Sequence, residues 1–332
     1  MKSVLSRKVT SLLIGLASVG IFQATASAQA DAYPNRPIKL VITWPVGGFA
    51  DTLGRTVANQ LGPILGQQIV VENRGGANGM IGADAVAKAA PDGYTLMFQS
   101  VTSHAINPTM YGKTPYSTEK DIVPLAVVAS VPMLLVANPS LPAKNIAELI
   151  ALAKKKPDEL SYASFGNGSA SHLAGELFTN QAGIKMTHIP YKGGAPAITD
   201  TLSGQVPMSF SAFGVALPHV KSGKLIALGT TGSARAKLLP DVPTIEEAGN
   251  LKGYEMSIVY AVWAPAGVPA PIVSKLTKAL EQVVASAAFK EKVASDGGEV
   301  MSLSTPAESN AYFQKEMQRL SKIVKDGNIK AD

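Results

Sequence analysis

Four short glycine-bearing stretches hold most of the groups in this sequence that could do chemistry. They are "WPVGGFAD" (44–51), "NRGGANG" (73–79), "SFGNGSASH" (164–172) and "PYKGGAP" (190–196). Glycine permits torsions that turn successive backbone N–H groups to one side, making a concave anion site. A helix starting there adds roughly half a positive charge. Such a loop can hold a carboxylate without a cation. Asp51 would oppose an anion, unless it is the N-cap of the following helix, which is the reading adopted; the free donors are then Gly47 to Ala50. Arg55 and Arg74 could each clamp a carboxylate bidentately, or simply tie their own loops down. Ser169 and Ser171 add hydroxyls at a second helix start.

Other chemistries are poorly served. Gly168 to His172 reads Gly-Ser-Ala-Ser-His, without the central serine and the closing glycine of a G-x-S-x-G nucleophile elbow. A hydrolase or transferase using Ser169 as nucleophile and His172 as base is the enzymatic alternative, with Glu176 as the nearby acid. His104, His172, His188 and His219 stand far apart, with no metal-ligand spacing, so no metal is expected. The loop at 47–54 is neither a Walker loop nor a dinucleotide fingerprint, so no cofactor is expected. The absence of cysteine excludes thiol catalysis and cysteine-ligated metals. Lysines and arginines are scattered without interleaved aromatics, which argues against nucleic acid.

These loops need a scaffold that aims them together. Residues 1–30 read as a secretory signal peptide: Lys2, Arg7 and Lys8, then apolar Leu12 to Phe22, then the small-residue run "ATASAQA". Removing those three basic residues lowers the formal charge from +6 to +3. The mature chain is expected to be exported and soluble, with a core large enough to stand without disulfides. "PIKLVIT", "QQIVVE" and "YTLMFQS" read as strands. The helices between them carry Leu53, Val57, Leu61 and Leu65, broken near Gly62 and Pro63, and "MIGADAVAKAA". The order βαβαβ predicts parallel strands with both loops at one sheet edge. "LSYAS", "MTHIPY" and "VPMSFSAF", with helices between, repeat the unit. Two apolar segments, "LAVVASVPMLLVANP" and "YEMSIVYAVWAPAG", read as strands crossing between the units, each followed by a helix, at 144–156 and 271–287. A last helix covers 306–326. The fold class is therefore α/β, two-lobed, with 31–130 and 256–332 in lobe one and 131–255 in lobe two.

Taken together, "YPNRPIKLVITWPVGG", "VVENRGGANGMIGADAVAKAAPDGYTL", "SYASFGNGSASHLAGELF", "IPYKGGAPAITDTLSGQVPMSF", "SGKLIALGTT" and "LLPDVPTIEEAG" resemble the Bug family across the mature chain. That family comprises the extracytoplasmic solute-binding receptors of tripartite tricarboxylate transporters. The resemblance implies a periplasmic, monomeric Venus-flytrap protein. It would close on a small carboxylate and deliver it to a large and a small integral membrane subunit, with no catalysis. Presentation of the ligand to a sensor kinase is the alternative output. The family's lobe-one loops fall here on Trp44, Pro45, Val46, Gly47, Gly48, Phe49 and Ala50, and on Gly75, Gly76, Ala77, Asn78 and Gly79. Ser100 and Thr102 follow the third strand. Lobe two would contribute Ser164, Phe165, Gly166, Asn167, Gly168 and Ser169, with Phe210 and Phe213. The chain departs from the family loop at Val46, in place of a proline, and at Phe49, in place of a small residue. Bulk there suggests Phe49 packing on an aromatic or long aliphatic diacid such as terephthalate or adipate, unless the ring turns into the lobe.

Overall fold

The computed structural model describes residues 33–327 and 329, so the signal-peptide reading of residues 1–30 lies outside the described residues. In the first half, β1 (Ile38–Ile42) lies between β2 (Ile69–Asn73) and β3 (Thr95–Ser100), parallel to both. The connecting helices are α1 (Phe49–Leu65) and α2 (Met80–Ala87). Strands buried on both faces must read as apolar runs, and Leu40, Ile42, Leu96 and Phe98 are fully enclosed. The loops leave β1 and β2 at the same carboxyl edge.

α1 differs from its expected form. It runs through Gly62 and Pro63 to Leu65, and closes on Gly66 in the left-handed conformation, whose N–H reaches the Gly62 carbonyl. Pro63 removes one helical bond and costs about 3 kcal/mol or more. Burial of Leu53, Val57, Leu61 and Leu65 contributes about 1.5–3 kcal/mol per side chain, so the stripe wins. A helix not legible in the sequence, α3 (Val101–Tyr111), starts directly at the end of β3. The Ser100 side chain caps it by accepting the Ser103 N–H. No glycine or proline separates strand from helix, and buried His104 and Asn107 blur its apolar face.

β4 (Ile122–Ala137) is the structural axis. Its first part, Ile122–Pro132, pairs antiparallel with β9 (Ser257–Pro265), which also borders β3. Its last five residues, Met133–Ala137, pair with β7 (Met208–Ala212), and β8 (Ile226–Thr230) lies on the same stretch. One strand therefore belongs to both sheets. The second sheet is completed by β5 (Ser161–Ser164), parallel to β7 and to β6 (Thr187–Pro190). Around these lie α4 (Ile146–Lys155), α5 (Ala170–Ala182), α6 (Gly194–Ser203), α7 (Phe213–Lys221) and the short α8 (Ile245–Gly249). After β9 the chain returns to the first sheet through α9 (Ala270–Ala285), α10 (Ala287–Ser295), β10 (Glu299–Leu303) and α11 (Pro306–Asp326). β10 borders β4, and α11 packs Phe313, Leu320 and Val324 into the core. The Trp263 indole, fully buried in β9, donates to the Gln99 carbonyl and locks β9 to β3.

The second half shows how tightly these elements fit. Gly175 in α5 lies against the buried Tyr162 ring, where a Cβ would stand 2.2 Å from ring carbon. Tyr162 cannot retreat, because its hydroxyl donates to Glu176 at 2.6 Å and its ring packs on Phe210. Replacing glycine by alanine inside a helix gains about 1 kcal/mol of propensity. Overpacking at this distance costs about 1–3 kcal/mol or more. Gly175→Ala is thus expected to destabilise by up to about 2 kcal/mol in urea unfolding; a stabilised variant would contradict this packing.

Candidate binding site

Loop one is built around a carboxylate. α1 begins one residue after Gly48, whose side chain cannot cap, so Asp51 is not the N-cap. It stands within the first turn and reaches backward. Its Oδ2 accepts the Gly47 N–H at 3.0 Å, and its Oδ1 accepts from Arg55 Nε and Asn73 Nδ2, each at 2.9 Å. Burial by itself would raise the Asp51 pKa, but the Gly47 N–H, the Asn73 amide and the Arg55 hydrogen bond and charge together hold it below the ordinary carboxylate range. Gly47 takes φ 84°, a left-handed torsion that favours glycine. With Gly47 engaged, the helix-start amides that donate to no group among the described residues are those of Gly48, Phe49, Ala50 and Asp51, and the first three of these residues line the cavity described below.

Both arginines serve their own loops. Arg55 bridges Asp51 and the Asn73 side chain, while Arg74 pairs with Glu72. Behind the loop, Gln99 is a buried hub. Its Oε1 accepts from Thr43, from the Trp44 indole at 3.1 Å and from the Ser100 N–H at 3.0 Å. Gly79 lies so close that a Cβ would meet the Gln99 amide at 2.1 Å. Both lobe-one loops therefore rest on one side chain.

Loop two faces the other half rather than the cavity. Asn78 Nδ2 donates to the Gly168 carbonyl at 2.7 Å and to Asn107 Oδ1 at 2.8 Å, and the Tyr111 hydroxyl donates to the Asn167 carbonyl at 3.1 Å. In the second half, Ser169 caps α5, accepting the His172 N–H and donating to the Gly166 carbonyl at 2.7 Å. His172 Nδ1 accepts the Gly168 N–H at 3.2 Å, and its ring stacks on His188 at 3.8 Å. Burial, then the charge of His172, push the His188 pKa down to about 3, so His188 is neutral and holds Ser164 at 2.6 Å. Serine and histidine here are braces.

A cavity of about 180 Å³ opens between the halves. It is lined by Trp44 through Ala50, by Ser100 and Ser103, by Phe165, Ser169 and Ala170, by 192–196, and by Ala212, Val215, Ile258 and Tyr260. Of the expected residues, Trp44, Pro45, Val46, Gly47, Gly48, Phe49, Ala50, Ser100, Phe165 and Ser169 come together there. Gly75, Gly76, Ala77, Asn78 and Gly79 lie off the lining, as do Ser164, Gly166, Asn167 and Gly168. Thr102 is inside α3, with its hydroxyl donating to the Ser257 carbonyl at 3.2 Å. Phe210 and Phe213 are fully buried: the strand alternation turns Phe210 onto Tyr162 and Phe178, and Phe213 packs with Leu134 and Val136. Ala212 and Val215 take their place at the cavity. Phe49 divides its ring between both expected roles, only 8% exposed and edge-on to Tyr260 at 5.4 Å while still lining the cavity. Sequence reasoning missed Gln99, Ser103, Lys192 and Tyr260. The phase of β9 could have exposed Tyr260, since alternate residues there face one way.

Two βαβ halves sharing a strand, with amide loops at the carboxyl ends of their strands and a cavity between them, define a two-lobed solute-binding protein. Residues 53–329 match the family described as "Tripartite tricarboxylate transporter family receptor", and the chain belongs to it. It is similar to the periplasmic binding protein BugD (35% identical, covering 90% of this chain and 99% of that one, TM-score 0.83). Similarity extends to Rpa4515 of R. palustris solved with adipate (34%, 90% and 99%, TM-score 0.85). MatC from Rhodopseudomonas palustris with bound malate is a further match (31%, 88% and 100%, TM-score 0.81). As a member of that family the chain is a receptor, not an enzyme.

Asp51→Ala would leave the Gly47 N–H, the Asn73 amide and Arg55 without their acceptor. A loss of about 1–3 kcal/mol is expected in chemical unfolding. The Asp51 pKa is lowered on folding, so its contribution is complete above the unfolded value of about 3.9 and fades as pH falls through the folded value. The gap between wild type and variant should close below about pH 4. An unchanged gap at pH 3 would contradict a charge-dependent role.

Proposed function

We propose that this receptor captures a small dicarboxylate with an apolar body, of the adipate or terephthalate sort, in the periplasm. It then hands the ligand to the large and small membrane subunits of a tripartite tricarboxylate transporter. The observation that carries this reading is the pairing of unengaged helix-start amides at Gly48–Ala50 with walls made by Trp44, Phe49, Phe165 and Tyr260. Amides suit a carboxylate, and aromatic walls suit a chain or ring rather than a hydroxyl-rich acid. The adipate held by a protein 34% identical to this one supports that choice.

Capture would proceed by closure of 31–130 with 256–332 onto 131–255, the protein acting as a monomer. A ligand touching both halves gains contacts only when they close, and that differential affinity shifts the equilibrium. Export of the mature chain follows the reading of residues 1–30. No bond in the solute changes.

Titration calorimetry with adipate, terephthalate, malate and citrate tests the reading. Adipate or terephthalate should bind most tightly and be recovered unchanged. Phe49→Ala should weaken binding about tenfold, from lost apolar contact. Tight citrate binding that ignores Phe49→Ala would overturn the preference, and consumption of the ligand would overturn the receptor role.

A further inference from the structure

The first half offers neutral amides; the second offers a charge. Lys192 lies in the turn between β6 and α6 and lines the cavity opposite loop one. Apart from Tyr260, it is the one residue in that lining with an ionisable side chain among the described residues, and no aspartate or glutamate among them lines it. The nearby cation Lys292, which sits 5.4 Å over the Phe49 ring, is already paired with Asp296. Lys192 makes no ion pair among the described residues.

Its base is nonetheless held. The Tyr191 N–H donates to the Ser164 carbonyl and the Gly193 N–H to the Phe165 carbonyl, both at 3.1 Å, so each flank of Lys192 is pinned to the other second-half loop. The Tyr191 hydroxyl is fastened to Asp200 at 2.6 Å. Gly194 rests on the Phe165 ring, where a Cβ would stand 3.3 Å away. A fixed backbone thus projects a flexible ammonium on a four-carbon stem, suited to a carboxylate whose distance from the first varies with chain length.

We infer that Lys192 is the specificity-determining residue of the site: it meets the second carboxylate and so separates dicarboxylates from monocarboxylates of the same shape. This rests on the carboxylate-capture reading above. Amides stabilise either carboxylate of a diacid equally, whereas one cation on the far wall favours a ligand negative at both ends. The absence of an acid in the lining has a companion effect: an amino-substituted diacid brings an ammonium that finds no counter-charge, so glutamate should bind more weakly than glutarate.

Calorimetry on wild type, Lys192→Gln and Lys192→Arg, with adipate against hexanoate and terephthalate against benzoate, tests the inference. Lys192→Gln should weaken the better-bound diacid by about tenfold or more and its monoacid by less than about twofold, and Lys192→Arg should restore most of the loss. Salt should weaken diacid binding less in Lys192→Gln than in wild type. Equal losses for diacid and monoacid, or no loss for either, would overturn the role of Lys192 while leaving carboxylate capture standing. Wild type that binds none of these acids would overturn the capture reading and this inference with it.

Discussion

The hydrogen bond from the Gly47 amide to the Asp51 carboxylate sets the shape of the site. A loop that holds an anion with backbone donors works only if those donors cannot relax, since free amides would turn to water. Asp51 ties the turn to α1, Asn73 ties it to β2, and Gln99 ties it through Trp44 to β3. Three parallel strands therefore converge on one short loop. The negative charge that looks hostile to an anion is spent within the protein, on Gly47, Asn73 and Arg55. What faces the cavity is the positive end of a helix and its first amides.

The second constraint is the shared strand. β4 is buried along nearly all its length and carries the first sheet at one end and the second at the other. Its passage between them, at Val131 to Met133, is covalently continuous, so the two sheets are joined through one strand. Across the gap, Asn78 reaches Gly168 and Tyr111 reaches Asn167, part-buried contacts between loops. Such contacts contribute about 1 kcal/mol each to holding the two halves together.

Much of this was legible in the residues. Glycine turns after β-branched runs marked the loops, because few other residues take those torsions, and seven consecutive positions from Trp44 to Ala50 reach the cavity. What failed, failed for local reasons. The run Gly-Gly-Phe-Ala-Asp does not say which residue begins the helix, and a start at Phe49 turned Asp51 from a cap into a clasp on Gly47. Phe210 and Phe213 are expected at the ligand, but the alternation of β7 turns Phe210 into the core, and Phe213, the first residue of α7, packs down onto Leu134 and Val136. α3 went unseen because polar His104 and Asn107 are buried on it. Lys192 stands in PYKGGAP, whose glycines predict a turn and nothing of the cavity. Its place in the cavity lining depends on how that turn is aimed, and sequence does not display that.

The central claim is that neutral amides, not arginines, take the ligand's first carboxylate. Amide and guanidinium NMR spectra of the labelled protein during titration with adipate, or terephthalate if that binds better, examine it most directly. The Gly48, Phe49 and Ala50 amide protons should move downfield in step with occupancy while the Arg55 and Arg74 guanidinium signals stay in place. Unmoved amides with a displaced Arg55 or Arg74 signal would contradict it.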